Sequence, residues 1–242
     1  MAQSRAAGGP AFDAPELEDL KRRLVTACHV LDNEGITDGY GHLSVRVPGA
    51  DALITIARVS PRLVDLDHLI MMDFEGRYLG GRDTPPFEWP IHARVLKARP
   101  DMKSVCHTHS VWSAVFSILP VKLRPVHHYG TFLPAAGVPL YEPPGLIRTV
   151  EQGDALAQAL GQENAVLLRG HGDTLVGTSI EDTAQKTIRM ARNGEIAHLA
   201  LLHSDLGEPR TLSDEDIRAF EEGGRHPARG WDYYLSRLSG LR

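Results

Sequence analysis

Two histidines one residue apart occupy an apolar stretch near the middle of the chain, in the run Val105-Cys106-His107-Thr108-His109-Ser110. Alternate residues of a β-strand point to the same face, so a strand here would project both imidazoles into one space. Two neutral imidazoles on one face are most of a metal site. A chain with 12 histidines also brings some pairs together without any function. The pair alone therefore leaves a metal site and a chance arrangement both open.

A third histidine stands at the end of another apolar run. His171 lies between Gly170 and Gly172, directly after residues 165–169, which have the character of a buried strand. Metal sites commonly combine a closely spaced ligand pair with ligands that are distant in sequence. His171 therefore strengthens the interpretation of His107 and His109 as metal ligands.

Glu88 and His92 precede the histidine pair at a spacing that places them on one helix face. The neighbouring prolines suit the first turn of a helix, which the sequence predicts over residues 87–98. Residues i and i+4 of a helix are neighbours, so the carboxyl group and the imidazole would lie together, next to the strand of His107 and His109. The alternative is that Glu88 only complements the helix dipole.

Several elements must hold these residues in place. Apolar spacing predicts strands over residues 53–56, 69–73 and 165–169. It also predicts a core-facing helix over 17–31 begun by Asp13 and Glu16, a helix over 111–118 with Ser110 as its N-cap, and a helix through Leu156 and Leu160 that ends at Gly161. Further helices are predicted after the caps Ser179 with Asp182 and Ser213 with Asp216, and an aromatic helix near 231–235. Residues 37–46 contain two glycines in a polar turn that enters a strand, where backbone N–H groups could approach a ligand. A plain glycine turn is the alternative for that segment.

Other side chains near these motifs have weaker grounds for a role in the site. Arg58 follows a strand and suits carboxylate or phosphate binding, although an exposed arginine is often only solvated. His127 and His128 are adjacent in an extended segment, so at most one of them faces the site. Cys106 points away from His107 on the same reasoning and is expected to be a small core residue rather than a nucleophile.

Composition excludes several classes of protein. The 242 residues carry a formal net charge of −5 without a Lys/Arg-rich block, which argues against a nucleic-acid partner. Two distant cysteines fit a reducing compartment and exclude a disulfide framework. Neither a membrane span nor a signal peptide is recognisable, so a cytoplasmic location is expected. Residues 1–12 are expected to be a disordered tail, and residues 13–242 a single domain.

Taken together, the motifs resemble the class II aldolase/adducin family. The resemblance covers about residues 17–202 and rests on four features: His-Thr-His-Ser after one strand, Gly-His-Gly after another, a glutamate on an upstream helix, and a Gly-x-x-Ser-x-Arg turn near the start. It implies an α/β fold with three layers, in which a mixed central sheet is covered by helices. It also implies that His107, His109 and His171 hold one divalent metal ion per subunit, commonly zinc, with manganese or iron as alternatives. Glu88 would then be the acid/base, with His92 one turn on orienting it.

The resemblance further implies a homo-oligomer, typically a cyclic tetramer with active sites at subunit interfaces. Aromatic residues of the C-terminal region would complete the pocket, which makes Tyr233 a candidate substrate contact. The aromatic tail at residues 231–235 supports an oligomer, because a monomer would have to fold it back over its own surface.

The departures from the family pattern concern the substrate. Sugar-phosphate members bind phosphate through a Gly-Asn-x-Ser turn, a Thr-Pro-x-Gly turn and the serines before the glutamate. Here these positions read Gly41-His42-Leu43-Ser44, Thr55-Ile56-Ala57-Arg58 and Pro86-Phe87-Glu88. The Phe87 side chain has no hydrogen-bond donor and Pro86 has no N–H, so the sequence favours a planar aromatic or other apolar carboxylate over a sugar phosphate. The candidate substrate-binding residues are Gly41, His42, Ser44, Arg58, Phe87, His128 and Tyr233.

The leading hypothesis is a metal-dependent carbon–carbon lyase that decarboxylates a hydroxylated aromatic mono- or dicarboxylate, a small-molecule partner rather than nucleic acid or membrane. One alternative is a class II aldolase that cleaves a hydroxy-keto acid or a sugar-derived substrate. A second is an iron-dependent oxygenase. A third, from another class, is an adducin-like interaction module without a metal site. The presence of all three histidines and the glutamate favours an enzyme.

Overall fold

A mixed sheet of eight strands forms the centre of the computed structural model, which describes residues 9–222, 224 and 227–238. The strands are β1 His42–Arg46, β2 Ala52–Ile56, β3 Leu69–Asp73, β4 Tyr78–Gly81, β5 Ser104–Thr108, β6 Leu140–Tyr141, β7 Ala165–Leu168 and β8 Gly172–Gly177. Their order is β4-β3-β2-β1-β5-β8-β7-β6. Neighbouring strands are antiparallel except β6 and β7, which are parallel.

Helices cover both faces of this sheet. They are α1 Glu18–Asn33, α2 Trp89–Ala98, α3 Val111–Ile118, α4 Val150–Leu160, α5 Ile180–Leu201, α6 Asp214–Glu222 and α7 Pro227–Ser236. Apolar residues of α1 and α5 pack on one face of the sheet, and those of α2 and α4 pack on the other. The predicted three-layer α/β/α fold with a mixed sheet is confirmed.

Side-chain alternation decides which residues can reach the site. In β5, Cys106 packs with the α1 and α5 core, whereas Val105 packs with the α2 and α4 core. His107 has the parity of Val105, so its imidazole projects toward α2. His42 and Ser44 of β1 share this face, since Leu43 between them packs with α1. Cys106 is fully buried, as expected of a core residue, and burial raises the pKa of its thiol.

Most predicted elements form, but two helix starts differ from the prediction. The helix expected from Asp13 and Glu16 begins only at Glu18, because Pro15 starts a short 3₁₀ turn that ends at Leu17. No side-chain hydrogen bond caps either segment, so the capping prediction was wrong. Helix α2 begins at Trp89, which leaves Glu88 just outside it with φ −95° and ψ 27°.

Other helix ends agree with the sequence patterns. Ser179 accepts a hydrogen bond from the Asp182 N–H at 3.1 Å at the start of α5. The Ser213 hydroxyl accepts the Asp216 N–H, also at 3.1 Å, at the start of α6. Ser110 stands at the N-cap position of α3 but makes no side-chain capping bond.

Strand β8 was not predicted, although it lies in the interior of the sheet between β5 and β7. Its residues Gly172, Asp173 and Gly177 have the composition of a turn. The glycines are required by close packing instead: a Cβ at Gly172 would lie 2.0 Å from the Thr108 carbonyl oxygen, and one at Gly177 would lie 2.4 Å from Thr183 Oγ1. The short strands β4 and β6 were also missed.

Both ends of the described chain pack onto the domain. Residues 1–8 of the predicted tail lie outside the described residues, but Phe12 is buried and its ring lies 3.7 Å from the Lys21 ammonium nitrogen. In α7, Trp231 and Tyr234 pack against the α1 and α5 core. The aromatic segment thus folds back over the surface of its own chain, so α7 gives no separate support for an oligomer. Within the described ranges, no helix is both long and apolar enough to cross a membrane.

Candidate metal centre and substrate cleft

The three histidines converge at one end of the sheet. His107 is the fourth residue of β5, His109 follows the strand, and His171 lies in the turn between β7 and β8. The Nε2 atom of His109 lies 3.2 Å from Nε2 of His107 and 3.0 Å from Nε2 of His171. Nitrogens that are each about 2.1 Å from one metal ion and about 90–110° apart are separated by about 3.0–3.4 Å. These separations fit a shared divalent ion.

A backbone carbonyl of β8 fixes the tautomer of His107. Its Nδ1 donates a hydrogen bond to the Asp173 backbone carbonyl at 2.7 Å, which leaves a lone pair on Nε2. The buried Asp173 carboxylate accepts hydrogen bonds from Thr108 Oγ1 at 2.9 Å and Ser113 Oγ at 2.5 Å. Burial raises the pKa of Asp173 to about 7. Asp173 thus supports the ligands through both its backbone and its side chain, a role that the sequence did not reveal.

Burial keeps the three imidazoles in the form that binds a metal. It lowers the pKa of His107 well below its ordinary value, lowers that of His109, and lowers the pKa of His171 to about 4. Neighbouring imidazoles add to this effect for His107 and His171. All three are therefore neutral near pH 7, as metal ligation requires.

Glu88 completes a cluster of four side chains whose ligand atoms all lie within 4.8 Å of one another. Its Oε2 is 3.6 Å from His107 Nε2 and 3.7 Å from His171 Nε2. Its Oε1 accepts a hydrogen bond from the Ile147 N–H at 2.9 Å. Burial raises the pKa of the Glu88 carboxyl group, and this is partly opposed by the Ile147 N–H and by Arg148. The cluster could hold a divalent metal ion.

His92 makes different contacts from those predicted. Its Nε2 shares a 2.7 Å hydrogen bond with His42 Nδ1, and its Nδ1 shares another of 2.7 Å with Ser44 Oγ. Burial lowers the pKa of His92 to about 3. Because Glu88 precedes α2, the helical spacing that would bring it to His92 does not apply. The contact that orients Glu88 comes from Ile147.

A cleft of about 490 Å³ opens onto this cluster. Its wall includes four of the predicted substrate-binding residues, Gly41, His42, Arg58 and Phe87, together with Glu88 and His109. Ser44 is instead fully buried behind His92. Ser44 was a candidate because it ends the Gly41-His42-Leu43-Ser44 turn, where related proteins bind phosphate, but its hydroxyl bonds to the buried His92 ring instead.

Two predicted substrate contacts lie elsewhere in the chain. The His128 ring stacks beside His127, with 4.0 Å between centroids, and near Phe220 at 6.3 Å. Tyr233 is exposed on α7 next to Tyr234. Neither lines the cleft of its own chain, so a substrate contact by either remains a prediction.

Two guanidinium groups face the exposed ring of Phe87. The Arg58 Cζ atom lies 3.6 Å from the ring centroid, and its Nε donates to the Pro85 carbonyl at 2.7 Å. The Cζ of Arg148 lies 4.8 Å from the same centroid. Arg148 was missed because it stands in a loop without a recognisable motif.

Residues 22–198 match the family model described as "Class II Aldolase and Adducin N-terminal domain". The chain belongs to this family. Its predicted membership is confirmed, and the family match spans the cluster of Glu88, His107, His109 and His171.

Relatives of this class II aldolase-family chain include carbon–carbon lyases of two kinds. A 3,4-dihydroxyphthalate decarboxylase of Arthrobacter keyseri is 30% identical over 239 residues, which cover 90% of this chain and 94% of that protein. An L-fuculose phosphate aldolase of Escherichia coli (strain K12) is 28% identical over 210 residues, covering 84% of this chain and 92% of that protein.

Solved structures share the fold. An aldolase II superfamily protein from Pseudomonas syringae matches with a TM-score of 0.79 at 23% identity, covering 93% of this chain and 94% of that one. The L-fuculose 1-phosphate aldolase from Glaciozyma antarctica PI12 matches with a TM-score of 0.76 at 26% identity, covering 96% and 94%.

Proposed function

We propose that this chain is a divalent-metal-dependent lyase that removes carbon dioxide from a hydroxylated aromatic carboxylate. The observation that carries the proposal is the wall of the cleft, where Phe87 and Arg58 stand beside the cluster of Glu88 and three histidines. An aromatic ring and a guanidinium match a planar aromatic acid. The 30% identity to a 3,4-dihydroxyphthalate decarboxylase supports the same substrate class.

His107, His109 and His171 would hold the metal ion, one per subunit. When bound, a divalent ion supplies Lewis acidity that stabilises negative charge on a substrate oxygen. Zinc suits three imidazole ligands, and manganese or iron are the alternatives. The lowered pKa values of these histidines support this role, since neutral imidazoles are the binding form.

Glu88 would move the proton. In the reaction, the bond between the ring carbon and the carboxyl carbon breaks, carbon dioxide leaves, and the electron pair stays with the ring. A proton from Glu88 Oε2 then forms the new C–H bond. Oε1 is held by the Ile147 N–H, so Oε2 is the oxygen that faces the centre. Burial raises the pKa of this carboxyl group, which favours its acting as a proton donor.

The remaining wall would orient the ring and exclude water. Phe87, Tyr40 and Leu146 present apolar surface to the cleft. Arg58 has its Nε on the Pro85 carbonyl, so its two terminal nitrogens are the donors directed to a substrate carboxylate. Gly41 and His42 also line this cleft.

Retro-aldol cleavage is the second candidate, supported by the relationship to L-fuculose phosphate aldolases. It would use the same histidines and glutamate, because it also breaks a carbon–carbon bond next to an oxygen held by the metal. The phosphate end of such a substrate would meet Pro86 and Phe87, which offer it no hydrogen-bond donor from their side chains. This disfavours a sugar phosphate.

A homotetramer and a cytoplasmic location are also part of the proposal. Val111 and Ile118 on α3, with Leu199 and Leu202 near the end of α5, are apolar and 52–68% exposed, which supports burial in an oligomer. Cys28 and Cys106 are free thiols, which supports a reducing compartment.

The deciding experiment is a substrate panel assayed with protein loaded separately with zinc, manganese or iron(II). It contains hydroxylated aromatic mono- and dicarboxylates, free hydroxy-keto acids and sugar phosphates. Release of carbon dioxide from the aromatic acids is expected. Cleavage of only the keto acids or sugar phosphates would favour the aldolase, and oxygen consumption with iron(II) would favour an oxygenase.

A further inference from the structure

Arg58 and Arg148 reach the Phe87 ring from distant parts of the chain. Arg58 follows β2, whereas Arg148 lies in the loop before α4. Both Cζ atoms lie within 4.8 Å of the ring centroid. Two cations held this close to one ring repel each other. The negative face of an aromatic ring offsets only part of that repulsion, by about 0.5–1 kcal/mol per cation at an exposed site.

Among the described residues neither guanidinium has a carboxylate within ion-pair distance, although the charge of Arg148 lowers the pKa of the nearby Glu88 carboxyl group. The contrast with structural arginines is clear: Arg94 binds Asp154 at 2.6 Å, and Arg99 binds Asp101 at 2.8 Å. The pair at Phe87 therefore has the charge and the free donors to bind an external anion.

The backbone holds Arg148 in a fixed relation to the acid/base residue. Ile147 donates its N–H to Glu88 Oε1 at 2.9 Å, which ties the loop before α4 to the start of α2. Phe87 precedes Glu88, and Arg148 follows Ile147. The Arg148 N–H donates to Gln152 Oε1 at 2.8 Å, which anchors its backbone on the other side. The backbone at Arg148 is thus held in place, while the N–H groups of its guanidinium remain available to a ligand.

We infer that Arg148 is a specificity-determining residue, which with Arg58 binds a second carboxylate on the substrate ring. The inference rests on the proposed function and narrows it to aromatic dicarboxylates in preference to monocarboxylates. One carboxylate lies at the candidate metal centre and leaves as carbon dioxide, while the other is held at the rim of the cleft. Phe87 supports both guanidinium groups and packs against the substrate ring.

A carboxylate is the anion that this arrangement favours. A guanidinium lying over the Phe87 ring presents its N–H groups at its edge, in its own plane, and planar bidentate pairing with a carboxylate uses that edge. A phosphate would ordinarily gain further donors from backbone N–H or hydroxyl groups. The adjacent Pro86 has no N–H, and Phe87 has no side-chain donor.

The test measures binding rather than turnover. Isothermal titration of the metal-loaded protein with benzoate and with isophthalate, neither of which carries the hydroxyl group needed for reaction, gives two dissociation constants. We expect Arg148→Gln to weaken isophthalate by about 10-fold or more and benzoate by less than about 3-fold. Arg82→Gln, an exposed arginine outside the cleft, is the matched control and should change neither constant.

Equal weakening of both ligands, or no change in either, would overturn the inference. A sugar phosphate that loses affinity in Arg148→Gln while isophthalate does not would also overturn it, because the pair would then serve phosphate. A different result would contradict the proposed function and leave the role of Arg148 intact: hydroxylated aromatic acids that bind with the expected dependence on Arg148 but release no carbon dioxide. Phe87→Leu should reproduce part of the isophthalate loss, since it keeps apolar bulk and removes the ring that carries both cations.

Discussion

Ile147 donates its backbone N–H to Glu88 Oε1 at 2.9 Å across 59 residues of sequence. Because Oε1 is occupied, Oε2 faces the histidines, 3.6 Å from His107 Nε2 and 3.7 Å from His171 Nε2. The two oxygens of one carboxyl group thus have separate surroundings: one is held by the backbone, and the other faces the histidines. The loop that carries Ile147 also presents Leu146 to the cleft, so it joins Glu88 to the wall of the cleft.

Glu88→Gln should preserve the fold and the metal content but lower turnover by about 100-fold or more, because an amide cannot supply the proton. The Gln side-chain oxygen can still accept the Ile147 N–H, so loss of position is not the cause. Steady-state assays of carbon dioxide release check this, with the exposed Glu16→Gln as control. Near-normal turnover in Glu88→Gln would leave Glu88 with only a role at the helix terminus.

Replacing a proposed metal ligand should remove the metal. His107→Ala and His171→Ala each delete one nitrogen of the cluster, and elemental analysis of the dialysed proteins should then show well under one ion per subunit. His198→Ala, on α5 beside Trp112, is the control and should retain the metal. Full metal content in both ligand variants would refute the site. A native protein that binds no metal at all would instead favour the adducin-like module.

His92→Ala should be strongly destabilising. It deletes a fully buried ring and leaves His42 Nδ1 and Ser44 Oγ without the partner that each has at 2.7 Å. A cavity and the loss of two buried hydrogen bonds together predict a loss of about 3–5 kcal/mol in the free energy of unfolding. Urea denaturation of the metal-free protein measures it, and His68→Ala, which removes only a partly exposed contact with Asp65, should cost far less. A loss below about 1 kcal/mol would mean that this hydrogen-bonded chain is not structural.

The sequence predicted those features of the site that local patterns encode. The spacing of His107 and His109 on a strand needs no tertiary information, and His171 stands beside glycines at the end of an apolar run. Glu88 was identified as well, but its partner was not. The assignment of His92 failed because α2 begins one residue after Glu88, and no short pattern indicates that Ile147 comes within hydrogen-bond distance.

The features that the sequence missed depend on contacts between distant segments. Arg148 is a candidate for substrate binding only because the fold places it beside the Phe87 ring. Similarly, α7 was expected to need a partner subunit, but Trp231 and Tyr234 pack on the domain itself. The aromatic residues of a helix indicate that it will be buried, but they do not indicate which surface it packs against.

A tetramer in solution is expected from the exposed apolar residues of α3 and α5 rather than from α7. Ile118→Asp together with Leu202→Asp should shift the mass measured by light scattering toward smaller species, since burying two charges in an apolar interface is costly. Arg62→Asp, an exposed change in the turn between β2 and β3, controls for altered charge. A native protein that is monomeric and fully active would contradict the proposed assembly.

Gly172→Ala should damage the candidate metal centre without touching a ligand. An added Cβ would lie 2.0 Å from the Thr108 carbonyl oxygen and 3.1 Å from the His109 Cα, so β5 and β8 must separate. That movement acts between His109 and His171, and it lengthens the bond from His107 Nδ1 to the Asp173 carbonyl. Overpacking of this kind costs about 1–3 kcal/mol in the free energy of unfolding, and metal affinity should fall by about 10-fold or more because the nitrogens lose their common point.

Competition with a chelator measures the metal affinity of Gly172→Ala. Gly39→Ala, where a Cβ meets nothing within 4 Å, should leave both the stability and the metal affinity close to native. Native metal affinity in Gly172→Ala would show that β5 and β8 can separate without moving the histidines apart.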